Sequence, residues 1–302
     1  MVDRYLVLTI DTEALPARAS DNHVRKLVWG EHEKGSAGLR EFVGLSQAHN
    51  APFTFFVEVA RSLWEPAEHR EYFTWLIRHG QDLQLHFHPE IFKTKDLIDL
   101  PLTYRPGRQD RWTDEEAESM LDWAIRRFEN FTGKAPIAYR AGSFRWNQAT
   151  INAMSRLGMQ LSFNNCYEAK SKADNESPAT LERKFSTWPE GIIEVPCTES
   201  YINDELVHLS FPRRFPVKQG LRGYCEHLMK TEASPVVFNL LLHSWSLLSR
   251  DQSTGQFYYE DNRRLDNVDK FLCWAKTEFE IISATELSGL IKDGRLKPEE
   301  YV

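Results

Sequence analysis

Two acids one residue apart, Asp11 and Glu13, close the apolar run Tyr5-Leu-Val-Leu-Thr-Ile10. Burying an acid without a partner is costly. A pair at the end of a short buried strand therefore points to a metal, a proton-transfer role or a simple turn. A second signal is Leu85-His86-Phe87-His88-Pro89-Glu90. Alternate side chains of an extended segment share one side, so His86 and His88 can face one ion, and imidazole pairs suit zinc and related divalent metals. The competing reading is a structural or surface pair. Arg140 opens a third cluster, Arg140-Ala-Gly142-Ser-Phe144. A guanidinium there can hold a carboxylate in its charged form, or simply face solvent in a turn. His243 ends the strongest apolar run, which starts at Pro235. An imidazole at that place can move a proton, or bond to backbone as a buried structural residue.

The elements that must carry these residues alternate. Strand-like runs are expected at 6–10, 53–58, 83–87, 137–139, 160–163, 192–195, 236–242 and 280–282. Amphipathic helical stretches are expected at 37–49, 67–79, 113–131, 148–157 and 264–276. Thr113 and Glu116 form a capping-box pattern at the start of the third of these helices. Glycines at 80, 133 and 158 supply left-handed stops. Alternation of this kind predicts a parallel sheet. About seven or eight units in a chain of this length fit an irregular (β/α) barrel, with a doubly wound open sheet as the second choice. Both architectures place chemistry at the carboxyl ends of the strands. A single domain over 1–302 is expected, with long loops near 168–182 and 201–220.

Composition narrows the function classes. The chain has 302 residues, 41% hydrophobic and 27% charged, with a formal net charge of −7. An acidic balance argues against nucleic acid or an anionic membrane as the partner. No apolar run is long enough for a transmembrane segment. No apolar leader precedes the first strand, which points to a cytoplasmic protein. The cysteines at 166, 197, 225 and 273 are widely spaced with no Cys-x-x-Cys pair, so their spacing indicates neither a disulfide framework nor a thiolate zinc site.

In order along the chain, Asp-x-Glu, Thr54-Phe-Phe56, His-x-His, Tyr139-Arg-Ala-Gly142 and Leu241-Leu242-His243 resemble the strand-end motifs of the polysaccharide deacetylase family, the NodB-homology or carbohydrate esterase 4 group. The resemblance covers most of residues 5–245. It implies a distorted (β/α) barrel and a metal-dependent hydrolase that removes N- or O-acetyl groups from sugars. By resemblance, Asp11 takes the place of the catalytic base, Arg140 orients it and His243 is the general acid. The family's metal-binding Asp is replaced by Thr12, so Glu13 is expected to supply the carboxylate. Its His-x-x-x-His pair becomes His86 with Glu90 at the second position, and His88, two residues early, is the preferred ligand. Glycine stands at 142 where the family has proline. The implied cofactor is a divalent ion, zinc first, held by Glu13, His86 and His88.

The expected substrate is a carbohydrate or an N-acetylated small molecule, such as a sugar nucleotide or a lipid-linked glycan precursor. Phe144, Trp146 and Trp245 are candidates to stack on it, with Trp29, Trp64 and Trp112 also near strand ends. The oligomeric state is not legible in the sequence. Two other readings stand beside the deacetylase: a non-catalytic carbohydrate- or partner-binding descendant, and another metal-dependent amidohydrolase barrel. An amidohydrolase would carry His-x-His after its first strand, where this chain has Asp-x-Glu.

Overall fold

The computed structural model describes residues 4–60, 66–91, 108–172, 174–231 and 234–300. Among the described residues seven strands run parallel side by side in one curled sheet, and the short strand Glu280–Ile281 pairs parallel with the first of them. The seven are β1 (Tyr5–Thr12), β2 (Phe53–Glu58), β3 (Asp82–Phe87), β4 (Ala138–Ala141), β5 (Leu161–Ser162), β6 (Ile193–Glu194) and β7 (Val237–His243). Their spatial order is β7-β1-β2-β3-β4-β5-β6, continued by the short antiparallel strand Ser186–Thr187 and then by Glu299–Glu300. The expected irregular barrel of parallel strands is the architecture observed. No ladder joins β6 to β7 among the described residues. Instead the chain at 209–211 runs along β7, with Leu241 N–H donating to Leu209 O and Phe211 N–H to Leu241 O.

The strands read as near-continuous apolar runs because both faces are covered. On the outer face, Leu6, Leu8, Ile10, Phe53, Phe55, Val57, Leu83 and Leu85 are buried beneath helices. Each such side chain contributes about 1.5–3 kcal/mol relative to exposure. The helices are α1 (Leu39–His49), α2 (Pro66–Arg78), α3 (Asp114–Thr132), α4 (Gln148–Arg156), α5 (Tyr167–Lys172), α6 (Gly220–Leu228), α7 (Arg263–Glu278) and α8 (Ala284–Lys292). The capping box predicted at Thr113 forms: Thr113 Oγ1 accepts from Glu116 N–H at 3.2 Å, and Glu116 accepts from Thr113 N–H at 2.9 Å.

The inner face divides in two. Its lower part is apolar, with Val7, Phe56, Ala138, Leu161, Phe163 and Val195 packed against Leu287 and Leu290 of α8. α8 plugs the bottom of the sheet. Its upper part, at the carboxyl ends, is polar. Several features differ from the sequence expectation. Helices α6 and α8 are additional. The two expected loops carry structure: α5 lies in the first, and an antiparallel hairpin, Glu199–Ile202 with Glu205–His208, runs into the second. The hairpin turns at Asn203 and Asp204, both in the left-handed region, which polar residues of this kind tolerate.

Candidate active site

Strand register gathers the chemistry at one end of the sheet. Asp11 lies opposite His243 on one side and Phe56 on the other. Glu58 lies opposite His86, and His86 opposite Arg140. Alternation then sends Thr9, Asp11, Glu58, His86, Arg140 and His243 to the same inner face.

Arg140 is fully buried. Its Nη1 meets Asp11 Oδ1 at 2.6 Å, its Nη2 donates to Thr9 Oγ1 at 2.9 Å, and its guanidinium lies 4.4 Å over the Phe56 ring. A buried cation with a carboxylate partner, hydrogen bonds and a ring face is fixed in place. Loss of either partner would strand an unpaired charge at a cost of about 3–5 kcal/mol.

Glu13 is the hub of a second group. Its Oε2 lies 2.6 Å from His88 Nε2 and 3.3 Å from His86 Nε2, and its Oε1 is 3.7 Å from His243 Nε2. The other nitrogen of each imidazole pair is already engaged. His86 Nδ1 donates to Arg140 O at 2.8 Å, and His88 Nδ1 pairs with Glu90 Oε1 at 2.7 Å. Glu90 therefore orients His88 from behind, and His88 is the residue that enters the cluster. Backing of each Nδ1 by a carbonyl or carboxylate, with Nε2 turned inward, is how metal-binding histidines are held.

Sequence reasoning missed Glu58. One donor atom from each of Glu13, Glu58, His86 and His88 lies within 4.8 Å of the others. Glu58 Oε1 accepts from Ala60 N–H at 2.6 Å, whereas Oε2 is buried without a hydrogen-bond partner among the described residues. An orphaned carboxylate oxygen facing two imidazoles fits a cation. The signal was present: an acid ends the apolar run Phe53-Thr-Phe-Phe-Val-Glu58, as Asp11 and Glu13 end the first.

The electrostatics agree. Burial pushes the Glu58 carboxyl up to about 7. Burial also acts to raise Glu13, but its attraction to His88 and the hydrogen bonds from both imidazoles outweigh that and hold it well below the usual range. His86 and His88 are depressed by burial, yet Asp11 and Glu13 raise the first and Glu90 and Glu13 raise the second well above normal. The pocket thus selects positive charge among its ligand atoms. His243 goes the other way, lowered by burial. Its ring stacks on Trp245, centroids 5.0 Å apart at 20°.

Gly142 explains a departure from the resemblance. A Cβ there would lie 2.4 Å from His88 Nδ1. The His88 ring occupies the space that any side chain at 142 would fill.

The expected aromatic platform is only partly placed. Trp146 is fully buried, edge-on to Trp188 at 5.6 Å, so its stacking role is corrected to a core role. Trp29 and Trp112 are also buried. Trp245 and Phe144 keep only slivers of exposure, 4% and 9%; Trp245 backs His243, and Phe144 lies near Arg140. Trp64 lies outside the described residues. Glu194, in the 191–196 stretch, is structural: it accepts from Ser162 Oγ, the Asn164 and Asn165 N–H groups and Trp188 Nε1. Asn164 Oδ1 in turn accepts from Ala141 N–H at 2.6 Å, which steadies the strand end carrying Arg140.

No protein-family model matches the chain, and no curated protein matches it by sequence. Solved structures do match. A protein from Mycobacterium smegmatis assigned as a polysaccharide deacetylase aligns over 99% of this chain and 93% of its own, at 13% identity and a TM-score of 0.59. A carbohydrate esterase 4 family pseudoenzyme from Bacillus anthracis aligns over 94% of this chain and 65% of its own, at 12% identity and a TM-score of 0.48. The peptidoglycan deacetylase PdaC from Bacillus subtilis aligns over 97% and 94%, at 11% identity and a TM-score of 0.43. The first of these carries the fold assignment.

Proposed function

We propose that this chain, which has the fold of the polysaccharide deacetylases, is a divergent member of that family: a metal-dependent hydrolase that removes an acetyl group from an N- or O-acetylated sugar or glycan precursor. The observation that carries this reading is the buried Glu13, Glu58, His86 and His88 cluster beside the Asp11–Arg140 pair and His243, at the carboxyl ends of the strands.

Glu13, His86 and His88 would hold a divalent ion, zinc first, with Glu58 Oε2 as a further oxygen. Such an ion, when bound, polarises an acetyl carbonyl and acidifies water. The chain's own residues supply the proton transfers. Arg140 holds Asp11 Oδ1, which leaves Oδ2 to take the proton of the attacking water. His243 stands next to Asp11 in register, so the proton passes to the leaving nitrogen or oxygen through the imidazole. Burial lowers the His243 pKa, and an imidazole so held releases its proton readily once charged.

The test is acetate release from a panel of N- and O-acetylated sugars by zinc-loaded protein. Release that Asp11→Asn lowers by about 10²–10⁴-fold, with metal content unchanged, supports the reading. Metal-loaded wild type that binds sugars and releases no acetate would leave a binding-only descendant of the fold.

A further inference from the structure

A second group of metal-donor side chains lies outside the barrel mouth. Cys166, Glu199 and His208 each place one donor atom within 4.8 Å of the others. Glu199 and His208 are a directly opposed pair on the hairpin, so they present to one face. Cys166 follows β5 and is fully buried, whereas Glu199 and His208 are half-buried, which leaves an approach from solvent.

The group is held from behind as metal ligands are. Glu199 accepts from Tyr167 N–H and Glu168 N–H, each at 2.7 Å, and Cys166 Sγ lies 3.5 Å from its Oε1. His208 Nδ1 donates to Glu168 Oε2 in a short contact, which leaves Nε2 as the ring atom for a ligand. Arg213 grips Glu168 through both oxygens, at 2.7 and 3.0 Å. Arg213 thus pairs with the supporting carboxylate, and its Nη1 also lies 3.3 Å from His208 Nδ1. Cys197, whose N–H donates to Asn165 O at 2.8 Å, brings its thiol beside that of Cys166. Burial, that neighbouring thiol and Glu199 all push the Cys166 thiol up; a divalent metal reverses this balance, because it binds the thiolate.

We propose that Cys166, Glu199 and His208 form a zinc-type site separate from the barrel centre. One sulfur, one nitrogen and one oxygen supply three ligands of a tetrahedral ion, and the approach from solvent leaves the fourth position to water. Coordination involves no redox change: the metal would take a lone pair of the Cys166 sulfur, and the thiol proton would leave to solvent. The site pins the hairpin to the segment after β5. Cys166 and Cys197 also pack against Phe144 and Leu241, the latter two residues before His243. The metal thus braces one wall of the mouth. Sequence spacing concealed the site because its donors come from distant stretches of the chain.

The test uses the full chain, reduced and then loaded with zinc or cobalt(II) alone. Elemental analysis of the wild type is expected to give two equivalents of zinc, with Cys166→Ser and His86→Ala each losing a different one. The cobalt(II) protein is expected to show thiolate-to-cobalt charge-transfer absorption in wild type and in His86→Ala, and none in Cys166→Ser. The barrel centre has no sulfur ligand, so this band reports the cysteine site alone. Its presence in wild type keeps the test valid if Cys166→Ser fails to fold. Absence of the band from folded wild type overturns the proposal, and so does a Cys166–Cys197 disulfide that persists through reduction and metal loading. Loss of metal from His86→Ala with the band retained would leave this proposal standing independently of the barrel reading.

Discussion

Glu58 and Gly142 show how single residues set the candidate metal centre. Glu58 joins the cluster from β2 with an orphaned oxygen, and its carboxyl is pushed up to about 7 by burial. Metal binding must then displace a proton from Glu58 below about pH 7, so affinity rises with pH through that range. Glu58→Gln should bind the metal more weakly and release one proton fewer below pH 7. Calorimetry in two buffers of different ionisation enthalpy measures that proton count, and an unchanged count contradicts the assignment. At Gly142 the crowding is steric. Gly142→Ala should push the His88 ring out of place and weaken metal binding by about 10–100-fold, read by competition with a chelator. The sequence exposed Asp11, Glu13, His86, His88, Arg140 and His243 because each ends an apolar run or repeats at strand spacing. It hid the use of Gly142, since a lone glycine in a turn does not say which ring packs on it.

At the scale of elements, α2 lies against α3 and β3 and carries a buried titratable group. Burial pushes His69 down to about 3, with Arg127 adding to the shift. Its ring stacks on Phe131 at 5.8 Å, and Tyr72 Oη on the same helix donates to Glu58 O at 3.1 Å. The unfolded chain protonates this imidazole near its ordinary pKa of about 6.5, whereas the folded chain does not. Its contribution is therefore present above about pH 6.5 and is lost as pH falls towards 3. The loss amounts to about 3 kcal/mol between pH 6.5 and 4, at about 1.4 kcal/mol per unit. Denaturant unfolding of wild type against His69→Phe should show that slope flattened in the variant; parallel curves would contradict it. Strand and helix periods made most elements legible to within a few residues. Most of the hairpin at 199–208 falls in the stretch expected to be a loop near 201–220, because its strands are short and polar on one side. α8 was missed although Ser283 and Glu286 form a capping box, the same signal that marked α3.

The whole molecule is a barrel with an apolar floor and a polar mouth. α8 closes the floor: Leu287 is fully buried against the inner faces of the strands. Leu287→Ala should cost about 2–5 kcal/mol of stability and leave metal stoichiometry unchanged, because the cavity opens far from the ligands. Thermal unfolding with elemental analysis checks both halves of that statement. The floor was not legible in the sequence, since an apolar inner residue looks the same whether a helix or a neighbouring strand covers it. The mouth was legible in outline, because charges at strand ends are unusual in a buried sheet. The most direct test of the account is an anomalous-diffraction map from crystals grown with zinc. The account predicts a peak within ligand distance of Glu13, His86 Nε2 and His88 Nε2, with Glu58 Oε2 facing it. A map with no peak among these residues in zinc-saturated crystals would contradict it.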